Sequence, residues 1–112
     1  MEQTMEQFIR KWCIDSKIFT MYVPINSGDS MKYIYNVLNG NITREPDNIT
    51  EMLYLGDYYA INGNDELMEK YHIMANDFGW LYGYQNLSHY YNIKKNPEKA
   101  AYFANKHKQM CS

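Results

Sequence analysis

Leu55-Gly56-Asp57-Tyr58-Tyr59 returns as Leu87-Ser88-His89-Tyr90-Tyr91, an offset of 32 residues, and the same offset carries Ile61-Asn62-Gly63-Asn64-Asp65-Glu66 onto Ile93-Lys94-Lys95-Asn96-Pro97-Glu98. A period of this length marks stacked supersecondary units, each too small to bury an apolar face alone and so closed against its neighbour.

Within the repeated half the signals are helical. The first copy predicts a helix over 49–61 stopped by Asn62-Gly63, then a second helix capped by Asn64 with Asp65 and Glu66 in its first turn, where negative charge is favoured. Leu67, Tyr71, Met74, Ala75 and Phe78 form the inner face expected of that second helix, before Gly79. The second copy predicts a helix over 80–92 and another capped by Asn96, with Pro97 at its first position and Ala100, Phe103, Ala104 and His107 as its stripe.

Upstream, Met5, Phe8, Ile9, Trp12 and Cys13 fall on one helical face and predict a helix over 4–18. Residues 20–28, with Pro24 and Gly28, read as a connector. Asp29 or Ser30 is the expected cap of a helix bearing Met31, Ile34, Tyr35 and Leu38 and ended by Gly40. The polar stretch 39–48, containing Arg44-Glu45-Pro46-Asp47, is the longest expected loop. No segment alternates with period two. The expected fold is all-α: about six helices in antiparallel hairpins stacked as a short α-solenoid. It forms one domain, 1–112, with an N-terminal hairpin over 1–40 and repeats over 49–79 and 80–110.

With 112 residues the chain has room for one modest core, and 46% hydrophobic residues, including 12 Tyr, argue against disorder. Eleven basic against 13 acidic residues give a net charge of −2 without a basic stripe, which argues against nucleic acid as a partner. Lys99, Lys106, His107 and Lys108 read as cations complementing the C-terminal end of the last helix. No apolar run reaches the ~20 residues of a membrane span, and the start Met1-Glu2-Gln3-Thr4 is polar, so a cytoplasmic protein without membrane contact is expected. Cys13 and Cys111 have no paired spacing and fit reduced thiols, and the three Asn-x-Ser/Thr sites at Asn41, Asn48 and Asn86 read as incidental. The richness in Asn, Ile, Lys and Tyr fits an AT-rich genome, a virus or parasite among the candidates, and the cytoplasm is then the host's.

The repeated residues resemble a tetratricopeptide repeat of the Sel-like branch. Leu55-Gly56, Tyr59 and Ala75 match its pattern in the first copy, and Leu87, Tyr91 and Ala100 in the second. Met68 and His107 stand where the pattern has small residues, Ser88 replaces the Gly, and Trp80 stands near a closing proline's place. Residues 1–48 fit only as another helical hairpin, of the kind that serves as an atypical terminal unit. The resemblance implies a protein- or peptide-binding adaptor that grips its ligand on the face of the first helices of each hairpin. Carried onto this chain, the contact positions are Leu53, Tyr54, Asp57 and Ala60, then Gln85, Asn86, His89 and Asn92. Asn86, His89 and Asn92 follow one helix side with groups that both donate and accept, which suits an extended peptide backbone, an ordinary solvated face being the alternative. That face lacks the cations needed to grip a terminal carboxylate.

Chemistry is weakly signalled. His72, His89 and His107 lie on three predicted helices. His107 and Cys111 form an i, i+4 pair, but no second pair completes a metal site, and Cys13 on an apolar stripe reads as inert core. No phosphate loop, nucleophile elbow or carboxylate cluster is present, so neither catalysis nor a cofactor or metal is expected. The rival to the adaptor is self-association as a homodimer through the N-terminal hairpin, with Phe8, Trp12, Ile18 and Phe19. A small metal protein or enzyme is the third reading.

Overall fold

The computed structural model describes residues 4–16 and 24–111 and, among them, contains six helices and no strand. These are α1 (Met5–Ser16), α2 (Gly28–Leu38), α3 (Ile49–Ile61), α4 (Asp65–Asp77), α5 (Gly83–Ile93) and α6 (Pro97–Cys111). The expected extension of the first helix to Ile18 and the anchor Phe19 lie outside the described residues. Each helix packs on the next in chain order, and the molecule extends over 46 × 26 × 21 Å. The chain is thus an all-α stack of antiparallel hairpins, a short α-solenoid.

The repeat is geometric as well as textual. Tyr59 stacks on Tyr71 with centroids 5.9 Å apart, and 32 positions later Tyr91 stacks on Phe103 at 5.8 Å, the planes tilted by 12° and 10°. Leu55 and Leu87 are buried alike. Ring stacking adds to the burial of these side chains, itself worth about 1.5–3 kcal/mol for each large apolar residue.

The helix ends show why the turns repeat. Gly40, Gly63 and Gly79 have positive φ just past α2, α3 and α4. In each turn the next N–H reaches back five residues, as Asn64 does to the Tyr59 carbonyl at 2.9 Å, the closing bond of a Schellman turn. After α5 the same position is Lys95, at φ 59°, and Asn96 N–H bonds the Tyr91 carbonyl at 2.8 Å. An L-residue in this region is strained by roughly 1–2 kcal/mol, part of which glycine gives back as unfolded-chain entropy. Lys95→Gly is therefore expected to stabilise the protein by about 0.5–1 kcal/mol in urea unfolding, an unchanged midpoint being the contrary result.

Asn64 and Asn96 each accept a first-turn N–H of α4 and α6, as expected, and Asn48 does the same for α3. Two boundaries differ. The cap of α2 is Ser27, whose Oγ accepts the Ser30 N–H, rather than Asp29 or Ser30. Helix α5 begins at Gly83 rather than Trp80, because 80–82 complete a turn after Gly79. Three apolar clusters fill the stack. The first joins α1 and α2 to α3 through Ile9, Ile34, Val37, Tyr54 and Leu55. The second joins both repeats through Ala60, Met68, Leu87, Tyr90 and Phe103, and a small third holds Met52, Leu53 and Ala75 beside Trp80.

Candidate functional site

The contact positions implied by the resemblance divide between the two copies. Leu53 and Tyr54 are 3% and 2% exposed and Ala60 is buried, so the first-copy set is not a surface. Leu53 packs toward Trp80 and Ala60 toward the second repeat, which covers them, while Tyr54 joins the N-terminal cluster. Asp57 is mostly enclosed, with Oδ1 3.1 Å from His72 Nε2. Burial pushes its carboxyl up and the His72 bond opposes that.

In the second copy Gln85, His89 and Asn92 are exposed and Asn86 is half-buried. These positions correspond to Leu53, Asp57, Ala60 and Tyr54 at the same offset. Where the first copy shows Leu53 and Ala60 to the hairpin that follows, the second shows amides and imidazole to solvent. Among the described residues no hairpin lies over this face, and an uncovered face is ordinarily polar with or without a ligand.

The glycine of the repeat has a specific partner. A Cβ at Gly56 would stand 2.4 Å from His72 Cδ2, so α3 meets α4 at this point through an imidazole. A Cβ at Gly83 would stand 2.9 Å from the His72 carbonyl oxygen and 2.7 Å from Asn76 Cβ, so α5 meets the same turn of α4 backbone to backbone. In the second copy Ser88 fills the glycine slot and its hydroxyl donates to the Ala100 carbonyl at 2.8 Å.

The densest polar site was not anticipated. Glu51, 1% exposed, accepts two bonds from Arg44, Nη1 to Oε1 at 2.8 Å and Nη2 to Oε2 at 3.1 Å, one from Ser30 Oγ at 2.7 Å and one from the Asp47 N–H at 2.8 Å. Burial would raise its carboxyl, but the Arg44, Asp47 and Ser30 donors outweigh that and hold it below the ordinary value. Arg44 also lies 4.1 Å over the Tyr33 ring, and the Tyr33 hydroxyl donates to the Arg44 carbonyl at 2.9 Å. Burial, then the Glu51 charge, push the Tyr33 phenol up to about 12, so it stays a donor at neutral pH. Tyr71 donates to Glu45 at 2.8 Å. Loop 39–48 is thereby pinned to α2, α3 and α4. The sequence signal for it is Asn48-Ile49-Thr50-Glu51, a cap residue with Glu three later.

Tyr90 and Tyr91 donate to Asp65 and Glu69, and Lys99 reaches Glu69 at 2.8 Å, tying α5 and α6 to α4. Cys13 is half-buried beside the Tyr54 hydroxyl, and burial raises its thiol, which disfavours the thiolate. Among the described residues no group of three His, Cys, Asp or Glu could hold a metal ion, and no helix is long and apolar enough to cross a membrane.

The most exposed cluster of large apolar side chains in one turn lies between α4 and α5. Phe78, expected on the inner face of α4, is 67% exposed, and Leu81 and Tyr82 are 61% and 51% exposed. The correction is geometric: Phe78 is the C-cap of α4, where the chain leaves the helix into the Gly79 turn and the inner stripe ends. Trp80 is half-buried, edge-on to Tyr82 with centroids 5.4 Å apart. No family model matches the chain, and no curated protein or solved structure matches it either.

Proposed function

We propose that this chain is a protein- or peptide-binding adaptor of helical-repeat type, without catalysis of its own. The observation that carries the reading is the turn over 78–82, where three large apolar side chains face solvent in one short segment. Such a patch is costly to hydrate and gains on being covered, and aromatic side chains are common binding anchors. Kinship with tetratricopeptide or Sel-like repeats belongs to the same proposal and rests on Leu55-Gly56, Tyr59, Leu87 and Tyr91. So do a cytoplasmic setting and a partner other than nucleic acid. The contact surface moves from the first-copy positions to the 78–82 turn, with Gln85, Asn86, His89 and Asn92 beyond it on the following helix.

The test is quantitative affinity capture from the source cell with three baits: the parent, Phe78→Ser with Leu81→Ser, and Asn86→Ala with His89→Ala. The turn variant is expected to lose its specific partner by about ten-fold or more while keeping parental helicity, two anchors being enough for that. Unchanged capture by a folded turn variant sinks the reading. Self-association through the N-terminal hairpin is the second reading, favoured by Ile14, which faces solvent on α1. Sedimentation at several concentrations separates the two, since a strict monomer removes the dimer.

A further inference from the structure

We infer that Asn62-Gly63, in the turn between α3 and α4, is a site of spontaneous covalent modification, where asparagine is converted to aspartate and isoaspartate and the turn is unfastened. Of the twelve asparagines, only Asn39 and Asn62 precede a glycine. Without a Cβ, glycine lets its backbone nitrogen approach the preceding side chain, whereas the branched Ile42, Ile49 and Ile93 crowd that approach after Asn41, Asn48 and Asn92. The Gly63 nitrogen gives its proton to solvent base and attacks Asn62 Cγ, a ring closure favoured by proximity. The new N–C bond completes a succinimide as the Cγ–Nδ2 bond breaks, and ammonia leaves with a proton taken from water. Water then opens the ring, at Cγ to give aspartate or at the Asn62 backbone carbonyl carbon to give isoaspartate. No electrons change hands, and water is the one co-reactant.

The fold separates the two candidates. Both are exposed C-caps, Asn39 with ψ 6° and Asn62 with ψ 5°, a rotation that turns the next nitrogen away from Cβ. Their carboxamides are held alike, Nδ2 donating to the Tyr35 carbonyl at 2.7 Å and to the Tyr58 carbonyl at 2.8 Å, so each turn must open before it reacts. The Gly40 N–H bonds the Val37 carbonyl at 2.8 Å, and the Tyr58 hydroxyl lies 3.5 Å from where a Gly40 Cβ would stand. The Gly63 N–H makes a longer bond, 3.2 Å to the Ala60 carbonyl, and among the described residues nothing beyond its chain neighbours lies within 4 Å of its Cβ position. Opening is therefore easier at Gly63, and Asn62 reacts first. The matching turn of the second repeat has Lys94-Lys95 and lacks the reactive amide. Either product unfastens the turn. Aspartate has no N–H for the Tyr58 carbonyl and sets a negative charge at the C-terminal end of α3, where the helix dipole is already negative. Isoaspartate adds a methylene to the main chain just before the Asn64 N–H, whose bond to the Tyr59 carbonyl closes the turn.

The test is to age the full chain in mildly alkaline buffer, beside a second sample in concentrated urea, and to read peptides from timed aliquots by mass spectrometry. The amide-to-acid mass gain locates the modified residue, and chromatographic retention distinguishes isoaspartate. In the folded protein Asn62 is expected to convert several-fold faster than Asn39, with Asn92 unchanged. In urea, where neither turn persists, the two rates should converge. The unfolding midpoint of the aged parent should fall as the modified fraction rises, whereas Asn62→Gln aged alongside, whose longer side chain would have to close a larger ring, should keep its midpoint. Asn39 converting as fast as Asn62 in the folded chain, a rate difference that persists in urea, an intact Asn62 after the urea sample has converted, or a modified protein with the parental midpoint would each overturn the assignment.

Discussion

Gly83→Ala is expected to destabilise the protein by about 3 kcal/mol or more, at the upper end of what overpacking costs, because the obstacle is backbone. The added methyl would lie 2.9 Å from the His72 carbonyl oxygen, which cannot rotate aside, so α5 must lift from α4 and loosen the cluster that joins the repeats. The melting temperature should fall by roughly 10 °C or more. Gly56→Ala differs in kind, since its methyl would meet the His72 ring, a side chain that can be removed. His72→Ala should therefore rescue part of the Gly56→Ala loss in a double-mutant cycle and none of the Gly83→Ala loss. A Gly83→Ala protein within about 0.5 kcal/mol of the parent, the scatter of an ordinary surface change, would mean that α4 and α5 do not approach as described.

Removing the Arg44 side chain should cost about 2–3 kcal/mol at neutral pH, below the full cost of breaking a buried pair because the guanidinium is partly exposed. The dependence on acidity is the sharper signature. In the parent, the Glu51 carboxyl titrates below its ordinary value near 4.5. Its contribution is complete above the unfolded value and lost as pH falls through the lower folded one. Without Arg44 two of the lowering influences are lost and burial still raises the carboxyl, so its folded value moves up toward the unfolded one and acid removes less stability than in the parent. The gap between parent and Arg44→Ala should narrow as pH drops from neutral toward the acid range. Urea unfolding across that range measures it, and a gap constant with pH would show that Glu51 is not the group Arg44 serves.

The fold was legible because the repeat states it twice. Helical spacing, Asn caps and glycine stops located α3, α4 and α6 closely, and the equivalence of Tyr59 with Tyr91 survives as matching ring stacks. Local signals misjudged the two ends of the Gly79 turn, where Phe78 fits the stripe of α4 by spacing yet stands at the cap, beyond the helix that would bury it. The site was harder to read. Position within a repeat says which side of a helix a residue occupies, but not whether another hairpin lies over that side, so Leu53, Tyr54 and Ala60 resembled contact residues and are core. Arg44 sits in a segment whose composition signals only a loop. Its pairing with Glu51 depends on how that loop folds back across α2, which no periodicity encodes.

Contact mostly between successive helices makes cohesion largely a series of local couplings rather than a shared centre. Helix α1 is held from one side, by α2 and by Tyr54 of α3 against Ile9 and Cys13, and so is an element that can detach at little expense, whereas α3 and α4 are held from both sides. Folding can start at any hairpin and spread outward with short loops to close, which favours rapid assembly and leaves the N-terminal end as the first to open under protease or heat.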